Sequence, residues 1–126
     1  MFDIKVSVFR GIPRLKVTGD LVSGPSCQIF ADVIDQLVDL GEVQVMVDLI
    51  AMCRIDSAGL GALIHGHSRL SELGGTLIVL RPSPRFLEAM ARTRLSGQLL
   101  LAGTELEAIN LLTQLSTVSW TTLGRC

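Results

Sequence analysis

Apolar and polar residues alternate at the start of the chain, and this period of two is typical of half-buried β-strands. The alternation covers residues 3–8, stops at Gly11 and Pro13, which favour a turn, and resumes over residues 14–18. The pattern predicts an antiparallel hairpin.

Later segments repeat apolar residues at the spacing of one helix face. Phe30, Val33, Ile34 and Leu37 lie at i, i+3, i+4 and i+7, which predicts a helix that begins in the 23–26 loop and ends near residue 41. Further helices are predicted over about 57–73, from the Pro82-Ser83-Pro84 start onward, and from Thr104 to about Leu115.

Short apolar runs separate these helices, at residues 43–50, 76–80 and 99–101. A run with little alternation is typical of a strand covered on both faces, and strands separated by helices imply parallel pairing. We therefore predict an α/β fold, with a mixed sheet of about five strands (an N-terminal hairpin, the rest parallel) and about four helices. One small domain is expected over residues 1–116, followed by a tail over 117–126.

The composition excludes several classes of protein. Of the 126 residues 48% are hydrophobic and only 18% are charged, which argues against disorder. No apolar stretch approaches the roughly 20 residues that a membrane span requires. A net charge of −1 and the absence of tyrosine argue against a nucleic-acid-binding protein.

The three cysteines, Cys27, Cys53 and Cys126, have no metal-ligand spacing and are odd in number. We expect small buried hydrophobes and one tail thiol. We also expect a reducing cytoplasmic location, with no secretory signal, no cofactor and no metal.

The most unusual segment follows the run at 43–50. Asp56 and Ser57 are both strong helix-capping residues at the start of an amphipathic pattern. Gly59 and Gly61 then lie in the first turns, where each glycine costs about 1 kcal/mol of helix propensity relative to alanine. Such a cost suggests that another element or a partner approaches the backbone there. A plain N-cap remains the alternative role for Ser57.

Enzyme chemistry finds little support in the sequence. A hydrolase nucleophile elbow requires glycine where Ile55 stands, and His65 and His67, two positions apart on a helix, point to nearly opposite sides. We expect His67 to be a core or semi-buried histidine. A dinucleotide fingerprint fails because Ile64 occupies the third glycine position, and helix capping adequately explains Glu105 and Glu107. The chain is therefore not expected to be an enzyme.

Residues 56–61, Asp-Ser-Ala-Gly-Leu-Gly, resemble the signature of STAS domains, the sulfate-transporter and anti-sigma-factor-antagonist family. Further segments resemble the family's strand ends and helix boundaries: Thr18-Gly19-Asp20-Leu21, Gly74-Gly75-Thr76-Leu77, Pro82-Ser83-Pro84 and Thr93-Arg94-Leu95. The resemblance covers about residues 3–115 in the family's order of elements. Two positions depart from the family's pattern, since Val22 stands where aspartate is frequent and Arg94 where glycine is common.

The resemblance implies a phosphorylation switch. In regulatory members, the serine after the aspartate is phosphorylated by an anti-sigma factor that is itself an ATP-dependent serine kinase. The unphosphorylated form binds that partner. Carried onto this chain, the acceptor is Ser57, because the family's second hydroxyl position is Ala58. The implied partner-binding residues are Ser23, Asp56, Ser57, Ala58, Gly59, Leu60 and Gly61.

Two other functions stay open. The domain could be a non-switching scaffold subunit, in a homo- or hetero-oligomer, of a larger stress-sensing or lipid-transport assembly. It could also bind a small anion or nucleotide at the glycine-rich helix start. Because so small a domain cannot bury all of its apolar surface, we expect part of the excess in an exposed docking patch around Leu60.

Overall fold

The computed structural model describes residues 2–95 and 97–113. In chain order the elements are β1 (Phe2–Phe9), β2 (Ile12–Leu21), α1 (Pro25–Asp39), β3 (Gln44–Ile55), α2 (Ser57–Glu72), β4 (Thr76–Leu80), α3 (Pro84–Arg92), β5 (Leu100–Ala102) and a last helix, α4, over 105–113. The expected 117–126 tail, Cys126 and the expected helix end at Leu115 lie outside the described residues.

The five strands form one sheet in the order β1-β2-β3-β4-β5, with β1 antiparallel to β2 and the other neighbours parallel. This arrangement confirms the predicted fold class. The parallel pairs are joined through α1, α2 and α3, as expected for strands separated by helices.

The hairpin turn is shorter than the sequence predicts. Arg10 and Gly11 both have positive φ and form the two-residue connection, closed by the Phe9 and Ile12 pair. Pro13 is not a turn residue but lies inside β2, opposite Val8. The parallel ladder to β3 begins one residue later, at Arg14, so the missing N–H of proline breaks no bond of that ladder.

Both faces of the central strands are covered, as their apolar runs predict. On β3, Val45, Val47 and Leu49 contact the core formed with α1, α2 and α3, whereas Met46 belongs to a second core under α4. Because successive side chains of a strand point to opposite faces, one apolar run supplies both cores. The sheet therefore lies between a layer of three helices and a single helix.

β3 extends past its predicted end near residue 50 and positions the 56–61 segment. Beyond Asp48 it no longer pairs with β4 and continues along β2 alone, to the pair of Leu21 with Ile55. Its exposed end accounts for one wrong expectation, since Cys53 is exposed rather than buried. Cys27, on α1, is half-buried, and this burial raises the pKa of its thiol.

The start of α4 corrects the role assigned to Glu105. Thr104 caps the helix as predicted, because its Oγ1 accepts the Glu107 N–H at 3.1 Å, and Glu107 reaches back to the Gly103 N–H at 3.4 Å. Glu105 is not a capping residue. Its carboxylate binds the guanidinium groups of Arg14 on β2 and Arg81 after β4.

His67 is semi-buried on α2, as predicted. Its Nδ1 accepts the Leu77 N–H at 3.1 Å, a bond that requires the unprotonated nitrogen, and burial lowers the pKa of the imidazole. The histidine therefore connects α2 to the start of β4. None of the helices over residues 2–95 and 97–113 is long and apolar enough to cross a membrane.

Candidate functional site

Asp56 joins the two chain segments that border the 56–61 turn. It is the N-cap of α2, and its Oδ1 accepts the Gly59 N–H at 2.9 Å. Its Oδ2 accepts the Ser23 N–H at 2.9 Å, from the loop between β2 and α1. These backbone bonds, that from Ser23 most of all, lower the pKa of the Asp56 carboxyl. The carboxylate is therefore ionised at neutral pH and holds the loop against the helix start.

Ser57 is the first residue of α2 and is exposed. The cap position is occupied by Asp56, so the structure decides between the two capping residues that the sequence offered. Ala58, Gly61 and Ser23 are exposed as well. The Ser57 side chain thus lies on the surface of a turn that Asp56 has already capped.

The expectation that Leu60 lies in an exposed patch is wrong. Its side chain is 0% exposed and belongs to the core between the sheet and the helices. One helical turn places Leu60 on the same face as Leu63, which is also fully buried. The exposed apolar residues are elsewhere on the described surface and include Val6, Val8 and Ile50.

The two glycines of the segment have different surroundings. A Cβ on Gly59 would lie 2.1 Å from the Leu21 carbonyl oxygen, so this glycine allows α2 to pack against the end of β2. A Cβ on Gly61 would have no described atom within 4 Å. The close approach inferred from the sequence is therefore explained at Gly59 by the fold itself, and Gly61 faces open space.

Ser26, which no sequence motif singled out, holds the loop before α1 in place. Its buried hydroxyl accepts the Val22 N–H at 3.0 Å and donates to the Val22 carbonyl at 2.7 Å. Serine in a first helical turn often bonds back to the preceding backbone, which is the only sequence signal for this contact. These two bonds hold Val22 next to Ser23, whose N–H binds Asp56.

A cleft of about 450 Å³ opens next to Asp56, between the end of β3 and α3. Three arginines line it, Arg54, Arg85 and Arg92, together with the carboxylate-bearing side chain Glu88. The sequence alone does not indicate this cluster, because Arg54 lies on β3 whereas Arg85 and Arg92 lie on α3, and only the tertiary structure brings the two elements together.

Other chemistry finds little support in the geometry. Within the described residues, no group of three or more His, Cys, Asp or Glu side chains is placed to hold a metal ion. The glycine-rich turn is a poor anion site, because the Gly59 N–H is already bonded to Asp56 and the ionised carboxylate would repel an anion.

The fold and the site together define a small α/β domain, in which an exposed serine follows the capping aspartate of a helix. The chain belongs to the STAS domain family, since the family model described as "Mlab, STAS domain" matches residues 9–102. A search among curated proteins returned no significant match.

Solved structures share the fold at low sequence identity. A candidate anti-sigma factor antagonist from Thermotoga maritima is 19% identical, with a TM-score of 0.78 over 87% of this chain and 94% of its own. An anti-sigma factor antagonist from Mycobacterium paratuberculosis is 19% identical, with a TM-score of 0.76 over 90% and 95%. The Bacillus cell fate determinant SpoIIAA in its phosphorylated form is 22% identical, with a TM-score of 0.64 over 87% and 97%.

Proposed function

We propose that this protein is an anti-sigma-factor antagonist controlled by phosphorylation of Ser57. The unphosphorylated form binds an anti-sigma factor with ATP-dependent serine kinase activity, and phosphorylation releases it. The observation that carries the proposal is the exposed Ser57 at the first position of α2, beside an aspartate whose Oδ1 caps the helix and whose Oδ2 holds the adjacent loop. A cytoplasmic location follows from this function.

The position of Ser57 suits a switch that acts on binding rather than on folding. A phosphate adds about −1.5 to −2 charges, and the helix N-terminus favours negative charge by roughly 0.3–1 kcal/mol, which offsets part of the repulsion from Asp56. On the exposed Ser57 the phosphate also keeps its water, so the free domain tolerates it. A partner that covered the turn would bury this charge beside ionised Asp56, at a large desolvation cost.

The contact surface in this proposal consists of Ser23, Ser57, Ala58 and Gly61, which are exposed, and of Asp56, which is half-buried. Gly59 and Leu60 support this surface from the interior. Val22, where regulatory members often carry aspartate, contributes an apolar contact instead of a charge.

Phosphorylation is tested by incubating the protein with candidate anti-sigma kinases and ATP, followed by intact-mass measurement. We expect one added phosphate that is absent from Ser57→Ala. Ser68→Ala, which changes another exposed serine of α2, is the matched control and should accept phosphate normally. Phosphate that persists on Ser57→Ala would contradict the proposal. So would a Ser57→Asp variant that unfolds the free domain but leaves partner affinity intact.

A non-switching scaffold is the second candidate function, since the description of the family model that matches residues 9–102 names a STAS domain without naming an anti-sigma factor or phosphorylation. A scaffold subunit requires a stable assembly, whereas a switch requires reversible partner binding. Native mass spectrometry separates the two. An obligate oligomer whose partner affinity is unaffected by Ser57→Asp supports the scaffold, and a monomer that loses its partner on this substitution supports the switch.

A further inference from the structure

The cleft beside the Ser57 turn is lined by three arginines, and most of them form no ion pair within the described residues that would stabilise the fold. Arg54 approaches Asp20 at 3.6 Å, a long contact between an exposed and a half-buried side chain that contributes little to stability. Arg85 and Arg92 form no ion pair with residues 2–95 or 97–113. Two guanidinium groups therefore face the cleft without a partner in the described part of the chain.

The position of Arg85 is unfavourable for the helix that carries it. α3 begins at Pro84 with Ser83 as its cap, and Arg85 is its second residue. A helix N-terminus favours acidic side chains, yet the first turn of α3 contains none. A residue that weakens its own helix without a local gain is a candidate for a role outside the fold.

The remaining walls indicate which kind of anion fits. Val22, Ile55 and Ala89 form apolar surface, while Asp56 and Glu88 add two carboxylates to the three arginines. The Asp56 carboxylate is turned toward backbone N–H groups, which leaves Glu88 as the main opposing charge. Asp56 and Glu88 would repel a phosphate dianion more strongly than a singly charged carboxylate, and single carboxylates separated by apolar side chains match the mixed lining.

We propose that this cleft receives an acidic segment of the protein partner, in which Asp or Glu side chains bind Arg85 and Arg92 beside the Ser57 turn. This inference rests on the proposed function for the identity of the partner, since the cleft and the Ser57 surface share Asp56 and are continuous. Charge pairs at the edge of such an interface steer association and fix its orientation.

The test is a titration of the full chain, observed by NMR, with a blocked tetraglutamate peptide at low salt. We expect saturable shifts of the backbone amides of Val22, Arg54 and residues 85–92, which disappear at high salt. The double variant Arg85→Gln with Arg92→Gln should lose these shifts and keep its thermal stability, because both side chains are exposed. Lys5→Gln with Arg10→Gln removes the same charge from the hairpin and should leave the shifts intact.

Shifts that are absent, or that persist in the cleft variant, would overturn the proposal. Inorganic phosphate is titrated in parallel, and a response to phosphate without a response to the peptide would assign the cleft to a small anion and equally overturn it. The titration needs neither kinase nor ATP. Failure of Ser57 to accept phosphate would therefore leave this result unaffected, and the two proposals fail independently.

Discussion

Single residues of the 56–61 segment divide into those that build the turn and those that face outward. Gly59 is required because a Cβ at this position would lie 2.1 Å from the Leu21 carbonyl oxygen, and Leu60 fills the core below it. Ser57 and Gly61 contribute nothing comparable to the fold. The sequence presents both glycines as equivalent, and only their surroundings distinguish them.

The two glycines should therefore respond oppositely to alanine. Gly59→Ala places a methyl group against backbone that cannot move cheaply, and we expect a loss of about 3 kcal/mol or more in unfolding free energy. Gly61→Ala adds a methyl in open space and improves helix propensity, so we expect a gain of up to about 1 kcal/mol. Urea unfolding of the two variants and the parent protein measures both effects. Equal losses in both variants would show that Gly61 also has a packing role.

At the scale of the elements, the end of α3 contains a local conflict. The Leu95 N–H binds the Met90 carbonyl at 2.9 Å and the Arg94 N–H binds the Ala91 carbonyl, which is the pattern of a Schellman cap. Its central residue, Arg94, has φ of 57°, a left-handed conformation in which side chains are strained and glycine is usual. This is the position at which the resemblance to STAS domains leads us to expect glycine.

Arg94→Gly should stabilise the domain by about 1 kcal/mol, because it removes the left-handed strain that a Cβ causes. Arg92→Gly is the matched control, since the same substitution within the helix should cost about 1 kcal/mol. Thermal unfolding of the two variants measures the difference. A loss of stability in Arg94→Gly would mean that the arginine side chain makes a compensating contact.

At the scale of the whole molecule, α4 closes the second face of the sheet through a cluster of four charged groups. Glu105 binds Arg14 and Arg81, and Arg81 also contacts the buried Asp48 at 3.3 Å. The cluster thus joins β2, β3 and the end of β4 to the start of α4. Ala108 and Leu112 of α4 belong to the same buried apolar cluster as Met46 of β3.

Glu105→Gln should lower the unfolding free energy by about 1–3 kcal/mol at pH 7, because two guanidinium groups lose a charged acceptor. The bond to Arg81, above all, holds the pKa of Glu105 below its ordinary value of 4.5. The contribution of the carboxylate is therefore complete above pH 4.5 and is lost as the pH falls through its lowered pKa. The deficit of the variant should accordingly shrink toward zero in acid.

Urea unfolding between pH 7 and pH 3 measures this deficit. Glu107→Gln is the control, and we expect a change within about 0.5 kcal/mol because this side chain is exposed and makes only a long bond to Gly103. A Glu105→Gln deficit that stayed constant down to pH 3 would assign the effect to side-chain packing instead of charge.

Much of the fold follows from local patterns. Alternation, helical spacing and glycine stops predicted five strands and four helices in the right order, because the apolar face of each element recurs at a regular spacing within a short segment of the chain. The boundaries were less accurate. β3 runs past residue 50 because β2 supplies hydrogen bonds to Ile55, and the turn excludes Pro13 because strand pairing continues to Phe9 and Ile12.

Local patterns are sufficient to predict the class of fold and the position of Ser57 at a helix start, since periodicity and capping chemistry act over a few residues. That Asp56 rather than Ser57 is the cap, and that Leu60 is buried, is evident only in the folded domain. The tertiary structure also decided that Glu105 binds Arg14 and Arg81, and that arginines of β3 and α3 share one cleft. Contacts between residues far apart in sequence depend on how the helices pack on the sheet, and no local pattern encodes that arrangement.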